Sequence, residues 1–372
     1  MNPKNIILFI IVSLFINTSI FNAMENSIFN IKEINAVKNP CYAHFLENEK
    51  IAITNQSQET YIVNLPTSNT TMISDPEDTT HSIYNQYTII QSNGNHIITC
   101  VDTKIKIYNQ KTEILEARKT TLYTPSSLAW NPIDNTIFIN AYGQMSKYNY
   151  VQNTSITIPS IESFLITKHP TQEIICTITH QSEILFYSLN NLKTPSDSIN
   201  LPQKLLLCTF CQYNHDGTNL AIGNEKTIFI IDNKKEITPY PCIRAQEQED
   251  FKKILFHPNN SVLAILCNRS TSASRNNVSV GQSVRYYDLK TLNLIEQTTE
   301  LDSLWSYNID FSQNGLFVVV TLYDKCVIIP VNFAIKKCIF SLWVLNQLKQ
   351  RYTIPTELIH YILSPRKSYI IL

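Results

Sequence analysis

The chain has 372 residues, 44% hydrophobic and 16% charged, which suits one large or two ordinary domains and excludes a disordered chain. Its 30 basic and 30 acidic side chains balance, so nothing in the bulk charge points to nucleic acid or anionic lipid as a partner. Only 6 residues are glycine, against roughly 26 at average usage, which nearly excludes glycine-built phosphate loops and dinucleotide fingerprints.

Residues 1–23 carry one early charge, Lys4, then an apolar run from Ile6 to Val12 that continues through Leu14, Phe15 and Ile16. This pattern predicts a secretory signal peptide cleaved after Ala23, because the apolar run is too short to span a bilayer. The alternative is an uncleaved membrane anchor over residues 6–21. The expected location is therefore periplasmic or secreted. Residues 28–34 follow as a short strand-like segment.

From Phe45 onward the chain repeats a pattern: an apolar or aromatic anchor, a turn over the next residues, and an apolar residue seven positions on that opens a second strand. Trp130 to Ile137, Ile90 to Ile97, Tyr213 to Leu220, Phe256 to Leu263 and Phe311 to Val318 are the clear copies. Lys168 to Ile175 has a lysine in the anchor slot, and Phe45 to Ile51 has a turn one residue shorter. Eighteen positions after the anchors stand Val63, Tyr108, Tyr148, Phe186 (with Tyr187 beside it), Ile231 and Ile329, where a third strand should end. In the sixth copy that position falls later, at Tyr287, which places a polar insertion over 268–280. Seven copies about 38 to 55 residues apart have the spacing of four-stranded propeller blades. Such sheets cannot bury their faces alone and pack around an axis. Alternation in strands such as 103–108 suggests one exposed face, and residues 28–34 could supply the outer strand that closes the circle.

The nine cysteines are an odd, scattered set, which predicts no disulfide framework. Cys100, Cys176 and Cys267 sit in apolar runs and read as core residues. Cys208 and Cys211 have redox-motif spacing, but a strand over 205–210 would point them to opposite faces. Near the end, residues 340–349 have helical apolar spacing, and 354–363 begin with a proline suited to a helix first turn.

The anchor, the Pro/Asp/Gly turn and the terminal aromatic- or apolar-plus-polar pairs Tyr108-Asn109, Tyr148-Asn149, Tyr187-Ser188, Ile231-Asp232 and Tyr287-Asp288 resemble the WD-repeat family of seven-bladed propellers. The resemblance implies structural roles for His81 and for the turn aspartates Asp102 and Asp324, which in that family are buried and hydrogen-bonded inside the blade. The C-terminal helices resemble the core of F-box or SOCS-box docking motifs. The expected organisation is an all-β fold: signal peptide 1–23, seven-bladed β-propeller 28–338, and helical tail 339–372.

No metal, nucleophile or nucleotide motif is present, so neither a catalytic residue nor a cofactor is assigned. His169, His215 and His257 recur at turn positions, as structural turn residues would. Glu247, Glu249 and Asp250 read as a solvated acidic loop, or as a patch for a partner. The insertion offers Arg269 and Arg275 to an acidic or phosphorylated partner. Trp305 is a third candidate partner-binding residue; like Ser126 and Ser127, it lies just before an anchor, at the start of an inner strand. The reading is a non-enzymatic scaffold, a monomeric propeller binding a protein or peptide on one face, with no nucleic acid, and with membrane only if the N-terminal segment stays uncleaved. The alternatives are a secreted adaptor docking a ubiquitin-ligase subunit through the tail, and a propeller hydrolase or lactonase.

Overall fold

The computed structural model describes residues 32–333 except 47–49, 56, 58, 74–87, 93–95, 102, 132–133, 159–162, 180, 202–204, 206–207, 233–241, 271–278, 302 and 304–305. The expected signal peptide and C-terminal helices lie outside the described residues. Seven sheets are present, each of four antiparallel strands, and six of them are built from four consecutive strands. The seventh takes three strands from 306–330 and its fourth from Lys32–Ile34, which pairs Glu33 with Val327 and Ile34 with Cys326. The circle is thus closed by the two ends of the described chain. The Lys325 ammonium reaches Glu33 across the closure, and its hydrogen bond and charge hold the Glu33 carboxyl below the usual carboxylate value.

The sequence register survives as cross-strand rows. Phe45, Ile51 and Val63 stand side by side, as do Trp130, Ile137 and Tyr148; Tyr213, Leu220 and Ile231; and Phe311, Val318 and Ile329. In blade 6 the third member is Tyr287, in the displaced position expected from the insertion. Two rows differ from the sequence reading. In blade 4 the partner of Ile175 is Tyr187, and Phe186 pairs with Cys176. In blade 2 the residue opposite Ile97 is Ser92, and Ile90 pairs with Thr99, because the connection there is shorter than in the other copies.

The middle residues of these rows, among them Ile51, Ile97, Ile137, Ile175, Leu263 and Val318, are fully buried. One apolar cluster fills each of the seven junctions between neighbouring blades. Alternate residues of a strand serve opposite junctions: Ile51 and Ile53 pack towards blade 7, and Ala52 towards blade 2. This corrects the one-exposed-face expectation for strand 104–109. Even Lys106 there is buried, because the sheet is sandwiched between two others. True alternation of half-buried and exposed residues appears on the outer rim, at Leu115–Thr120.

First strands of successive blades pack against one another around the ring, so they form its inner wall. In blades 1, 3, 4, 6 and 7 this strand carries a bulge, at Cys41, Ser126, Phe164, Lys252 and Tyr307. Each bulged residue stands four positions before its anchor. A recurring bulge sharpens the local twist and re-aims the residues around it.

Candidate functional site: two faces, an inner wall and a buried ion pair

The turn after the first strand joins it to the second strand of the same blade, and in blades 4 and 6 a histidine in this turn reaches the next blade. His169 and His257 each follow an anchor directly and are buried. Nδ1 of His169 accepts from the backbone N–H of Gln172 at 3.0 Å, so the neutral ring carries its proton on Nε2 and donates to the Gly217 carbonyl at 3.1 Å. Nε2 of His257 makes the same contact to the Gly315 carbonyl at 2.9 Å. The recurrence of these two histidines therefore is structural, a ring of one blade laid on the glycine turn of the next. His215 differs: it stands two places after its anchor, is exposed, and its backbone N–H donates to Asn260 Oδ1 at 2.8 Å.

Burial holds His169 below the usual imidazole pKa, opposed by its bond to Gly217. A base whose pKa is lowered by folding is protonated more readily when unfolded, so stability rises with pH across the interval between the two values. Acidification below roughly pH 6.5, the unfolded value, is therefore expected to lower the unfolding free energy. Chemical denaturation of the wild type and of His169→Gln across pH 5 to 8 checks this, with the variant showing the flatter profile.

On the inner wall, side chains of one first strand satisfy the unpaired backbone edge of the next. Ser127 Oγ accepts from Ile166 N–H at 2.9 Å, Asn308 Nδ2 donates to the Ala43 carbonyl at 2.8 Å, and Asp310 Oδ2 accepts from Phe45 N–H at 2.7 Å. Exposed strand edges need such partners. Asp310 Oδ2 also meets His44 Nδ1 at 2.8 Å. Ser127 is thus occupied structurally. Asp310 is not legible in the sequence, because a single carboxylate before one anchor carries no pattern. Trp305 lies outside the described residues.

Glu249 is not part of a solvated loop. It opens the first strand of blade 6, Glu249–Phe256, and is buried against Arg285 of the third strand. Its two oxygens accept from the two terminal guanidinium nitrogens at 2.6 and 2.7 Å, and Arg285 Nε donates to Gln297 at 3.0 Å. Burial disfavours the Arg285 charge, but the Glu249 hydrogen bonds and attraction outweigh it and raise the pKa. Asp250 pairs with Lys226 at 2.8 Å, and Glu247 remains exposed. The acidic run breaks up because Glu247 lies in the turn before the strand, while alternation along the strand sends Glu249 and Asp250 to opposite faces.

The insertion does join the second and third strands of blade 6, but part of it is strand. These run Val262–Ser270 and Ser279–Asp288, with Asn268 opposite Gln282. Arg269 sits on the second strand, opposite Glu249, with its side chain 59% exposed and 3.7 Å from Glu300. An exposed pair of that kind contributes little to stability. Arg275 lies outside the described residues, as do His81 and Asp102. Asp324 occupies the tight turn between the second and third strands of blade 7, as expected. Its side chain is exposed, which corrects the buried role that the family resemblance implies.

The eight described cysteines are free thiols. The first strand of blade 5 begins only at Phe210, so Cys208 lies before it, in an irregular stretch. Cys208 and Cys211 share one apolar cluster with Cys176, a correction to the opposite-face expectation. Burial pushes the Cys208 thiol up to about 12 and raises Cys211 well above its ordinary value. Such thiols are poor nucleophiles and metal ligands. Among the described residues, no group of three His, Cys, Asp or Glu could hold a metal ion.

Antiparallel order puts the turns between second and third strands, and the links between blades, on the face opposite the histidine turns. On that face Tyr142 and Gly143 form a two-residue connection with φ of 49° and 75°. Positive φ at both positions is the hairpin geometry that favours Asn-Gly, and it is strained for a bulky aromatic residue. Tyr142 is 81% exposed and stacks on Tyr123, centroids 5.0 Å apart, with Leu122 beside it 90% exposed. Tyr323 is exposed on the same face, in blade 7.

Solved structures share this architecture. The Myceliophteria thermophila Cps50 (Swd1) beta-propeller domain superposes with a TM-score of 0.65 at 11% identity, covering 82% of this chain and 99% of that one. A chain of the Mitotic Checkpoint Complex crystal structure gives 0.62 at 10% identity, covering 82% and 93%. The likeness is one of fold. No protein-family model and no curated protein matches the sequence. At such identity the blade geometry is shared while side chains are not, so the Tyr142 turn, the Arg285 pair and the inner-wall residues are read from this chain alone.

Proposed function

We propose that the protein is a non-catalytic interaction platform that binds a protein or peptide on the face carrying Tyr142. The observation that carries this reading is the stacked pair Tyr123 and Tyr142 with Leu122, large apolar groups held out in solvent on a rigid ring. Tyrosine supplies broad contact area at low entropic cost and is enriched where proteins bind one another. The strain at Tyr142 adds weight, since unfavourable backbone conformations cluster at functional sites. The long hairpin of blade 6 rises on the same face and would extend the surface. The reading includes export through residues 1–23, with the binding face acting outside the cytoplasm.

The test separates binding from folding. Tyr142→Asn places a residue suited to positive φ in the turn, so it is expected to stabilise the fold by roughly 1 kcal/mol while weakening partner capture by the full-length protein. Unchanged capture by Tyr142→Asn and by Leu122→Ser would remove this face from consideration.

A further inference from the structure

The inner wall holds one group that breaks its own pattern. Lys253 stands three residues before its anchor in blade 6, the position from which Ser127 and Asn308 cap the neighbouring blade's edge. Lys253 makes no such bond. Its ammonium lies 5.7 Å from the ring centroid of Tyr42, in blade 1. Blade 7 separates the two blades, so the side chain reaches along the inner wall past the first strand of blade 7, beside the channel that the ring encloses.

Among the described residues, the Lys253 ammonium has no hydrogen-bond acceptor and no ion-pair partner. Asp310 is the carboxylate that acts on it electrostatically, yet Asp310 does not reach ion-pairing distance and spends Oδ2 on Phe45 N–H and His44 Nδ1. Burial lowers the Lys253 pKa, and Asp310 only partly restores it. An ammonium is a three-donor group, and a ring face satisfies its charge only in part.

We propose that the central channel is a carboxylate-binding site, with Lys253 taking the carboxylate and the Tyr42 ring lying against the stem that bears it. Asp310 sets the ligand class. A doubly charged phosphate would meet its repulsion, while a single carboxylate on an otherwise neutral chain gains more from Lys253 than it loses. The site is separate from the Tyr142 face and does not depend on what binds there.

The experiment follows the lysine Cε signals of the full-length protein by NMR, with the Lys253 signal assigned from Lys253→Met. Sodium propionate is titrated against sodium chloride at equal ionic strength. Two peptides distinguish the carboxylate source: one has a free C-terminus and no acidic side chain, the other an amidated C-terminus and one glutamate. A saturable shift of the Lys253 signal in the millimolar range is expected with propionate and with the peptide of the matching source, and inorganic phosphate should bind more weakly. Asp310→Asn keeps an oxygen for Phe45 N–H but removes the competing charge, and should tighten propionate binding roughly three- to tenfold. A Lys253 signal that responds to propionate no more than to chloride would overturn the proposal. So would weaker propionate binding by Asp310→Asn at unchanged thermal stability.

Discussion

Replacing Arg285 with methionine is expected to cost about 3–5 kcal/mol of stability, the range for breaking a buried ion pair from one side. Glu249 would then be left 5% exposed, its two oxygens stripped of donors, in a sheet flanked by two other blades. Water cannot replace the guanidinium there without opening blade 6. Glu249→Gln is expected to cost less, because a neutral amide still offers one acceptor to the guanidinium. Replacing both partners, Glu249→Leu with Arg285→Met, is expected to recover much of the loss, since an apolar pair of similar volume needs no compensation. Denaturant melts of the single and double variants check this as a cycle, with a large favourable coupling as the expected outcome. Additive costs would mean that the pair does not act as a unit.

Adding one methyl group at Gly217 or Gly315 is the second large effect. Both glycines have positive φ, 76° and 70°, and a Cβ would fall 2.2 Å from His169 Cε1 in the first case and 2.3 Å from His257 Nε2 in the second. The left-handed backbone is unfavourable for alanine by about 1–2 kcal/mol. Overpacking against a ring that cannot retreat adds about 1–3 kcal/mol. Each variant is therefore expected to lose about 2–5 kcal/mol in a urea melt. The paired change His169→Ala with Gly217→Ala should recover the steric part only, which separates clash from backbone strain.

These positions show how far the sequence could be read. The blade register was legible because propeller strands place one buried residue at a fixed interval, and Ile137, Leu220 and Val318 obey it. Blade 2 escaped by two residues at its anchor because a shorter connection imitates the longer turn when only apolar spacing is counted. His169 and His257 were legible as recurring turn residues. Their partners were not, since a histidine-to-glycine contact between residues 48 or 58 apart leaves no local trace. Glu249 looked like part of an acidic loop because its partner stands 36 residues on, beyond the insertion. The Tyr142 platform was missed for a related reason. Tyr142 closes a hairpin of blade 3 and Tyr123 leads into the first strand of the same blade, so their stacking follows from the pairing of Pro125 with Ala141 across a separation of 16 residues, which no local pattern reveals. The closing strand was legible because a circular fold needs one.

The central claim, that the Tyr142 face binds a protein or peptide, is tested most directly by photocrosslinking. A photoreactive phenylalanine analogue is placed at Tyr142 in one sample and at Val151 in another. Val151 is also exposed, at 68%, but lies in a turn on the opposite face of the same blade. Adducts with a defined protein from position 142, and none from 151, are the expected result. Adducts from 151 alone, or from neither position, would contradict the account.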